Sequence, residues 1–396
     1  MDTLIERLKQ FNADRDPKYL PLKYNAMAQS AFRFFRGSCH LFYEDFVKEL
    51  KWKDESRAWV CGDLHLENFG TFKGDNGLVY FDMNDFDEAI LAPATWEIAR
   101  TVTSIYLAAV NLKLSDTKTN TLANNFLDTY ISVLQKGKAI VIERPTAKDI
   151  LKNLIDQVSK RTNKVLIKER TIIKKGKIQL KIDNKRAFAL SDENKKSVKQ
   201  FFEEWAKKHH PKKYTFIDVA HRIAGTGSIG LLRYVMLLQK RKDQSFVLID
   251  MKQAKTSCLK PYSKLKQTKW NNEAERVVGI QKMVQHVSPA FIKPFLFEQK
   301  YFVLKQLQPT ADKMDLNLCK GKLNKLEIIL QTMAEVAASG QLRSSGRKNS
   351  STADELIEMA INHKKWRNEL LSFAKNYSQK VEKDYQIFLK NFKALN

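Results

Sequence analysis

Histidine and cysteine are scarce in this chain, seven and four among 396 residues. The cysteines, Cys39, Cys61, Cys258 and Cys319, are scattered and form no C-x-x-C pair. That spacing argues against a zinc knuckle and against a disulfide framework. A hydrolase built on clustered His and Asp metal ligands is disfavoured too, because only His65 lies near a group of acids. Long apolar runs are also lacking: none approaches the roughly 18 residues a membrane span needs. The N-terminus, MDTLIERLKQFNADRD, has no apolar stretch of leader type. The expectation is a soluble, cytoplasmic chain in a reducing compartment. What is present is an ample supply of core residues, 43% hydrophobic, enough for two or three domains or one large two-part unit.

Acid is the minority charge, with 44 Asp and Glu against 69 Lys and Arg. The resulting +25 generates a long-range field that attracts acidic partners. Much of it is local, since residues 160–199 hold fourteen basic residues and four acids, an excess of +10. Within that stretch, 170–182 alternates around Lys175-Gly176 as a hairpin with one apolar and one basic face. Two readings stay open: a solvated edge whose lysines discourage aggregation, or a docking surface for an acidic partner. In the second, Lys174, Lys175, Lys177 and Lys181 favour nucleic acid or a phosphorylated substrate over a membrane, because the isoleucines are assigned to the hairpin's buried face.

Periodicity predicts helices over 26–50, 93–112, 119–136 and 193–208, and again from about 322 onward. One of the last ends near Ser339-Gly340, and a polar loop covers 344–352. Short strands are predicted at 58–61 and 77–81, and a second strand block runs from about 214 to 308. Each of the first two strands leads into an acidic cluster, Gly62-Asp63-Leu64-His65-Leu66-Glu67-Asn68-Phe69-Gly70 and then Asn84-Asp85-Phe86-Asp87-Glu88.

Acids crowded into loops of so basic a chain call for a cation to hold. Phosphoryl transfer supplies the reason, since it needs a carboxylate to orient the attacking hydroxyl and oxygen ligands for magnesium. Asp63 and Asn68 are five apart, the spacing of H-R-D-x-x-x-x-N in kinases, and Asp85-Phe86-Asp87 follows where D-F-G would stand. At these residues the sequence resembles the aminoglycoside and choline phosphotransferase branch of the protein-kinase-like superfamily. Ala92-Pro93-Ala94-Thr95-Trp96-Glu97-Ile98-Ala99 stands where that branch carries a D-P-x-W-D-L-A helix, and counting back eleven from Trp96 selects Asp85 rather than Asp82. GDLHLENFG, FDMNDFDEA and the segment Phe32-Arg33-Phe34-Phe35-Arg36-Gly37 together resemble a widespread bacterial family of unknown function.

The resemblance implies Asp63 as catalytic base, His65 as a residue that orients it or buttresses the loop, and Asn68 and Asp85 as magnesium ligands. A nucleotide-binding lobe should precede these loops, yet residues 1–57 read as helices. It is found downstream instead. Gly225-Thr226-Gly227-Ser228-Ile229-Gly230 is a G-x-G-x-x-G between two strands, the kinase context rather than the dinucleotide-binding one. Lys252 lies on a third strand as in V-A-I-K, and a helix follows with Glu273 and Glu275. Glu275 or Glu273 would pair with Lys252, although the family carries an acid where this chain has Gly279.

These elements imply an α+β, two-lobed protein-kinase-like fold with circularly permuted connectivity. Residues 1–150 would begin the helical lobe with its catalytic and metal loops. Residues 151–210 would be a basic insert and helix, 211–310 the nucleotide-binding lobe, and 311–396 the closing helices. The expected function is ATP- and Mg2+-dependent transfer of phosphate to a hydroxyl of an unknown acceptor. Transfer of AMP, or a catalytically silent nucleotide- or nucleic-acid-binding module, are the alternatives.

Overall fold

The computed structural model describes residues 3–210, 212–309 and 312–395. It is a mixed architecture of α+β type in which every strand pairing is antiparallel. Among the described residues, no helix is long and apolar enough to cross a membrane.

The largest core is helical and gathers both ends of the chain. At its centre runs Ala94–Leu112, which starts after Pro93 and buries Trp96, Ile98, Ala99, Val102 and Ile105. A helix apolar on so many sides must be covered all round. Asp116–Lys136, Ala31–Gly37 and Arg367–Lys390 pack against it. Asp116–Lys136 is capped at its start by the Ser115 hydroxyl and stopped by Gly137 in the left-handed conformation. Leu323–Ser344 then lies along it.

The expected helix end at Ser339-Gly340 is corrected here, since both residues sit inside Leu323–Ser344. Gly340 serves close packing: a β-carbon there would fall 2.6 Å from the Met83 methyl and 2.8 Å from Val284. The polar segment beyond Ser344 does connect two helices, the next being Ala353–Ile361.

The downstream strands form one six-stranded sheet. Its spatial order is Lys293–Phe297, Lys300–Leu307, Phe246–Gln253, Arg233–Lys240, Tyr214–Arg222, Ala187–Phe188. Side chains alternate between two faces along each strand. Met236, Leu238, Ile249 and Leu304 pack on Val198 and Phe202 of the helix Asp192–His209. Val235, Leu237 and Leu248 face Leu166, Ile178 and Leu180 of the preceding segment. That segment contains two helices absent from the periodicity reading, Asp149–Ser159 and Asn163–Arg170.

The basic hairpin pairs Thr171–Lys174 with Lys177–Leu180, and positive φ at Lys175 and Gly176 makes the tight turn. Its apolar face is only anchored at the base. Leu180 is buried, whereas Ile173 is 79% exposed and Ile172 is exposed beside the lysines. The expectation that the isoleucines are buried therefore fails for Ile172 and Ile173, because the sheet beneath extends only far enough to cover Leu180 and Ile178.

Candidate functional site

The two acidic loops are brought together by a short ladder. Ala58–Val60 pairs with Ile90–Ala92, so the chain leaves the first strand into Gly62-Asp63 beside the backbone of Glu88. Gly62 takes φ +86°, and a β-carbon there would lie 2.3 Å from the Glu88 carbonyl oxygen, so only glycine permits this approach. The Tyr43 hydroxyl donates to the Gly62 carbonyl and fixes the turn.

Asp63 points into a cleft of about 240 Å³ that Asn68, Asp85, Asp87 and Glu88 also line. One carboxylate oxygen, Oδ1, accepts from Arg100 Nε at 2.7 Å. Arg100 is fully buried and stands on Ala94–Leu112, where its guanidinium lies over the Phe35 ring. Burial pushes the Asp63 carboxyl above its usual range, with Arg100 opposing the shift. The other oxygen, Oδ2, is 3.9 Å from His65 Nε2.

His65 is neutral. Its Nε2 accepts from Arg36 Nε at 3.1 Å, and burial together with the charges of Arg36 and Arg100 depresses its basicity well below the usual value. The opposite ring nitrogen, Nδ1, is buried without a hydrogen-bond partner. Arg36 also pairs with Glu67, which Lys313 reaches from the other side. His65 is thus held as part of the loop's support, within reach of the Asp63 carboxylate.

Asn68 holds the two loops in register. Its side-chain nitrogen donates to the backbone oxygens of Asp63 at 3.0 Å and Asp85 at 3.3 Å. The amide oxygen of the same group is the end left to accept. Nearby, the Asn84 side-chain oxygen is buried and unpartnered and also lines the cleft. An orphaned acceptor beside carboxylates suits a hard cation. Among the described residues, no three His, Cys, Asp or Glu side chains form a metal cage. Asp85 with the Asn68 and Asn84 amide oxygens is an all-oxygen donor set of the kind magnesium takes, an ion that keeps most of its coordination for water and phosphate.

Asp85 and Asp87 share one cation. Lys252 Nζ lies 3.2 Å from Asp85 Oδ2 and also contacts Asp87. Burial would raise the Asp85 carboxyl, but Lys252 holds it below the usual range. Asp87 moves the other way, raised by burial and by the charge of Asp85. Asp82, by contrast, is buried against Arg343 and does not line the cleft.

Lys252 sits on Phe246–Gln253, the third strand counted from Tyr214. Neither Glu273 nor Glu275 is its partner, which corrects the expected ion pair. Glu275 accepts from Asn271 at 2.8 Å, while Glu273 pairs with Arg276 and accepts from Thr256. The position Gly279 is filled from outside, since a β-carbon there would lie 2.4 Å from the Trp270 ring. The helix Glu273–Val284 instead contributes Arg276, whose guanidinium donates to the carbonyls of Asp87, Ala89 and Lys255 and so ties the second acidic loop to the sheet.

The glycine-rich segment forms the turn between Tyr214–Arg222 and Arg233–Lys240, with positive φ at Gly225 and Gly230. Gly225, Thr226, Gly227 and Ser228 line the same cleft as Asp63 and Asp85, whereas Gly230 lies behind it against Arg15. The N-terminal segment clasps this turn. Arg15 donates to the Ile229 carbonyl at 2.6 Å, fully buried Lys23 donates to Gly227 at 3.3 Å, and the Asp16 amide donates to Gly230.

Sequence reasoning missed Arg36, Arg100, Arg276 and Lys23. A signal existed for the first two: Arg36 lies in the quoted Phe32–Gly37 segment, and Arg100 is the one cation of the helix Ala94–Leu112, four residues after Trp96. Nothing local marks the reach of Arg276 to Asp87 and Ala89 or of Lys23 to Gly227, partners more than 180 residues away.

The chain belongs to the bacterial family described as "Uncharacterized protein conserved in bacteria (DUF2252)", whose model matches residues 15–391. No curated protein and no solved structure matches it.

Proposed function

We propose that this chain is an ATP- and magnesium-dependent phosphotransferase with a two-lobed, kinase-like architecture whose connectivity is circularly permuted. The observation that supports this most is the convergence of distant segments. The loop with Asp63 and Asn68, the loop with Asp85, and the turn at Gly225–Ser228 line one cleft, with Lys252 paired to Asp85 beside it. Five consecutive strands with a glycine-rich turn between the first two, a lysine on the third and a helix before the fourth agree with a nucleotide-binding lobe.

In this reading Asp63, held by Arg100 through Oδ1, uses Oδ2 to take the proton from an acceptor hydroxyl. The acceptor oxygen bonds to the γ-phosphorus as the bond from that phosphorus to the bridging oxygen breaks, and ADP leaves with the electron pair. Asp85 and the Asn68 amide oxygen would hold magnesium, which would neutralise phosphate charge. Lys252 moves its charge between Asp85 and the phosphates, while Arg15, Arg36, Lys255 and Lys313 supplement a bound divalent cation in offsetting the cleft's acids.

The test pairs binding with transfer. MgATP should raise the melting temperature of the wild type, and Asp85→Ala should lose that response. An equal response in both rejects the metal assignment. With an acceptor panel, label should pass from [γ-32P]ATP with release of ADP. Passage of α-label instead would replace phosphate transfer by AMP transfer.

A further inference from the structure

A second cavity, of about 820 Å³, opens where the helix Asn163–Arg170 lies against the sheet. Its charge is the inverse of the acidic cleft. Arg170, Arg186, Arg222, Arg233 and Lys305 line it with two further cations from the 160–161 turn, against only two carboxylates, Glu169 and Asp250. Asp250 is already committed. It accepts from Arg222 at 2.8 Å and from Arg233 at 2.9 and 2.6 Å, and those guanidiniums hold it below its usual range.

The cationic excess is built into the fold. The Arg222 and Arg233 side chains are only 19% and 14% exposed. Lys305 stands opposite Asp250 in the strand register and is half-buried, and burial lowers its basicity. Burial pulls even Arg222 down to about 10. Arg170 carries a buried Nε with no hydrogen-bond partner. Several partly buried cations sharing one acid cost stability unless an anion completes the set, and planar guanidiniums converging on one space match phosphate oxygens. The volume is that of a small-molecule site.

We propose that this cavity binds a small phosphorylated ligand, with its phosphates held by Arg170, Arg186, Arg222 and Lys305, at a site separate from the acidic cleft. Arg233 joins the two. It donates to Asp250 on the cavity side and to the Ala224 carbonyl, at 2.8 Å, in the glycine-rich turn. A ligand that competes for Arg233 therefore bears on the turn, whatever chemistry the cleft performs.

Calorimetric titration of the full chain with tripolyphosphate in EDTA tests this, because without a divalent cation the acidic cleft repels the ligand. One-site binding is expected, at least tenfold weaker in Arg186→Glu, whose side chain is exposed and tolerates change, and in Lys305→Met. Asp85→Ala should bind as the wild type does. ATP in EDTA serves as a second arm: tighter binding than tripolyphosphate identifies the ligand as a nucleotide, and equal binding identifies the phosphates as sufficient. The proposal is overturned if the wild type does not bind, if Arg186→Glu binds equally well, or if Asp85→Ala alone abolishes binding. A variant with glutamate at 174, 175, 177 and 181 separates the cavity from the nearby hairpin, and weakening by that change alone also overturns it. Failure of the MgATP response above with tripolyphosphate binding intact would sink the phosphotransferase reading and leave this site standing.

Discussion

The acidic loops and the basic hairpin are charged stretches of opposite sign, and the structure treats them in opposite ways. In the loops nearly every charge has a named partner: Asp63 has Arg100, Asp85 and Asp87 have Lys252, Glu67 has Arg36 and Lys313. In the hairpin Lys174, Lys175, Lys177 and Lys181 stand in solvent. A charge run in a sequence thus carries little meaning until its desolvation is known, since exposed charges contribute little to stability and buried pairs resist the loss of either member. Changes to the loops should accordingly have large consequences, and changes to the hairpin small ones.

The largest effect is expected at Asp63. Asp63→Asn keeps the shape and the approach of Arg100 but cannot take a proton, so phosphate transfer should fall about 10²- to 10⁴-fold. The MgATP-induced thermal shift should survive. An undiminished rate would remove Asp63 from the chemistry and reduce the loop to a structural network.

Arg100→Leu comes next, and it tests the pairing itself. It strands the buried Asp63 carboxylate without its cation, which should cost about 3–5 kcal/mol in urea denaturation. Adding Asp63→Leu should restore part of that loss, because the second change removes the orphaned charge. Strict additivity of the two would mean that the ion pair does not couple them.

The same contrast explains what was legible in the sequence. Asp63, Asn68, Asp85 and Gly225–Ser228 stand out in the sequence because local spacing encodes the turn each needs, and the structure places them along one cleft. The strands around Gly225 and Lys252 were found from their apolar runs. Glu275 was misassigned because a helix start fixes which residues are near, not which way each side chain reaches; Asn271 captures Glu275, and Trp270 fills the space at Gly279. Ile172 and Ile173 were misread since period-two alternation shows that a hairpin has two faces and not how far the covering surface extends. The basic cavity was not legible because its walls come from 160–186, 222–250 and 305–309, and only the first of these stands out as basic in the sequence.

Glu97 sharpens the comparison through pH. It is buried on Ala94–Leu112, accepting from the Cys61 amide and Gln341, with no cation paired to it among the described residues, and burial raises its carboxyl to about 7. Because the folded value lies above the unfolded one, the group's contribution is full below about pH 4.5 and is lost as pH rises toward 7. The slope cannot exceed about 1.4 kcal/mol per pH unit. Glu97→Gln should flatten the stability profile across that window. A slope equal to that of the wild type would assign the pH dependence elsewhere.

The smallest effect on stability is expected in the hairpin. Replacing Lys174, Lys175, Lys177 and Lys181 together by glutamate should change unfolding free energy by no more than about 1 kcal/mol, since none of them is buried. The MgATP response should also be untouched, as the cleft contains none of these residues. What should change is affinity for a polyanion. If single-stranded RNA docks here, each lost contact removes about 0.7 from the slope of log affinity against log salt. Exposed Ile172 and Ile173 add a membrane arm to the measurement, because apolar side chains beside lysines are what an anionic bilayer engages. Ile173→Ser should leave RNA binding unchanged, and loss of vesicle binding in that variant with RNA indifferent to the lysines would reassign the surface to lipid. Indifference to both would make the hairpin a solvated edge, whose lysines only keep the exposed strands of neighbouring molecules apart.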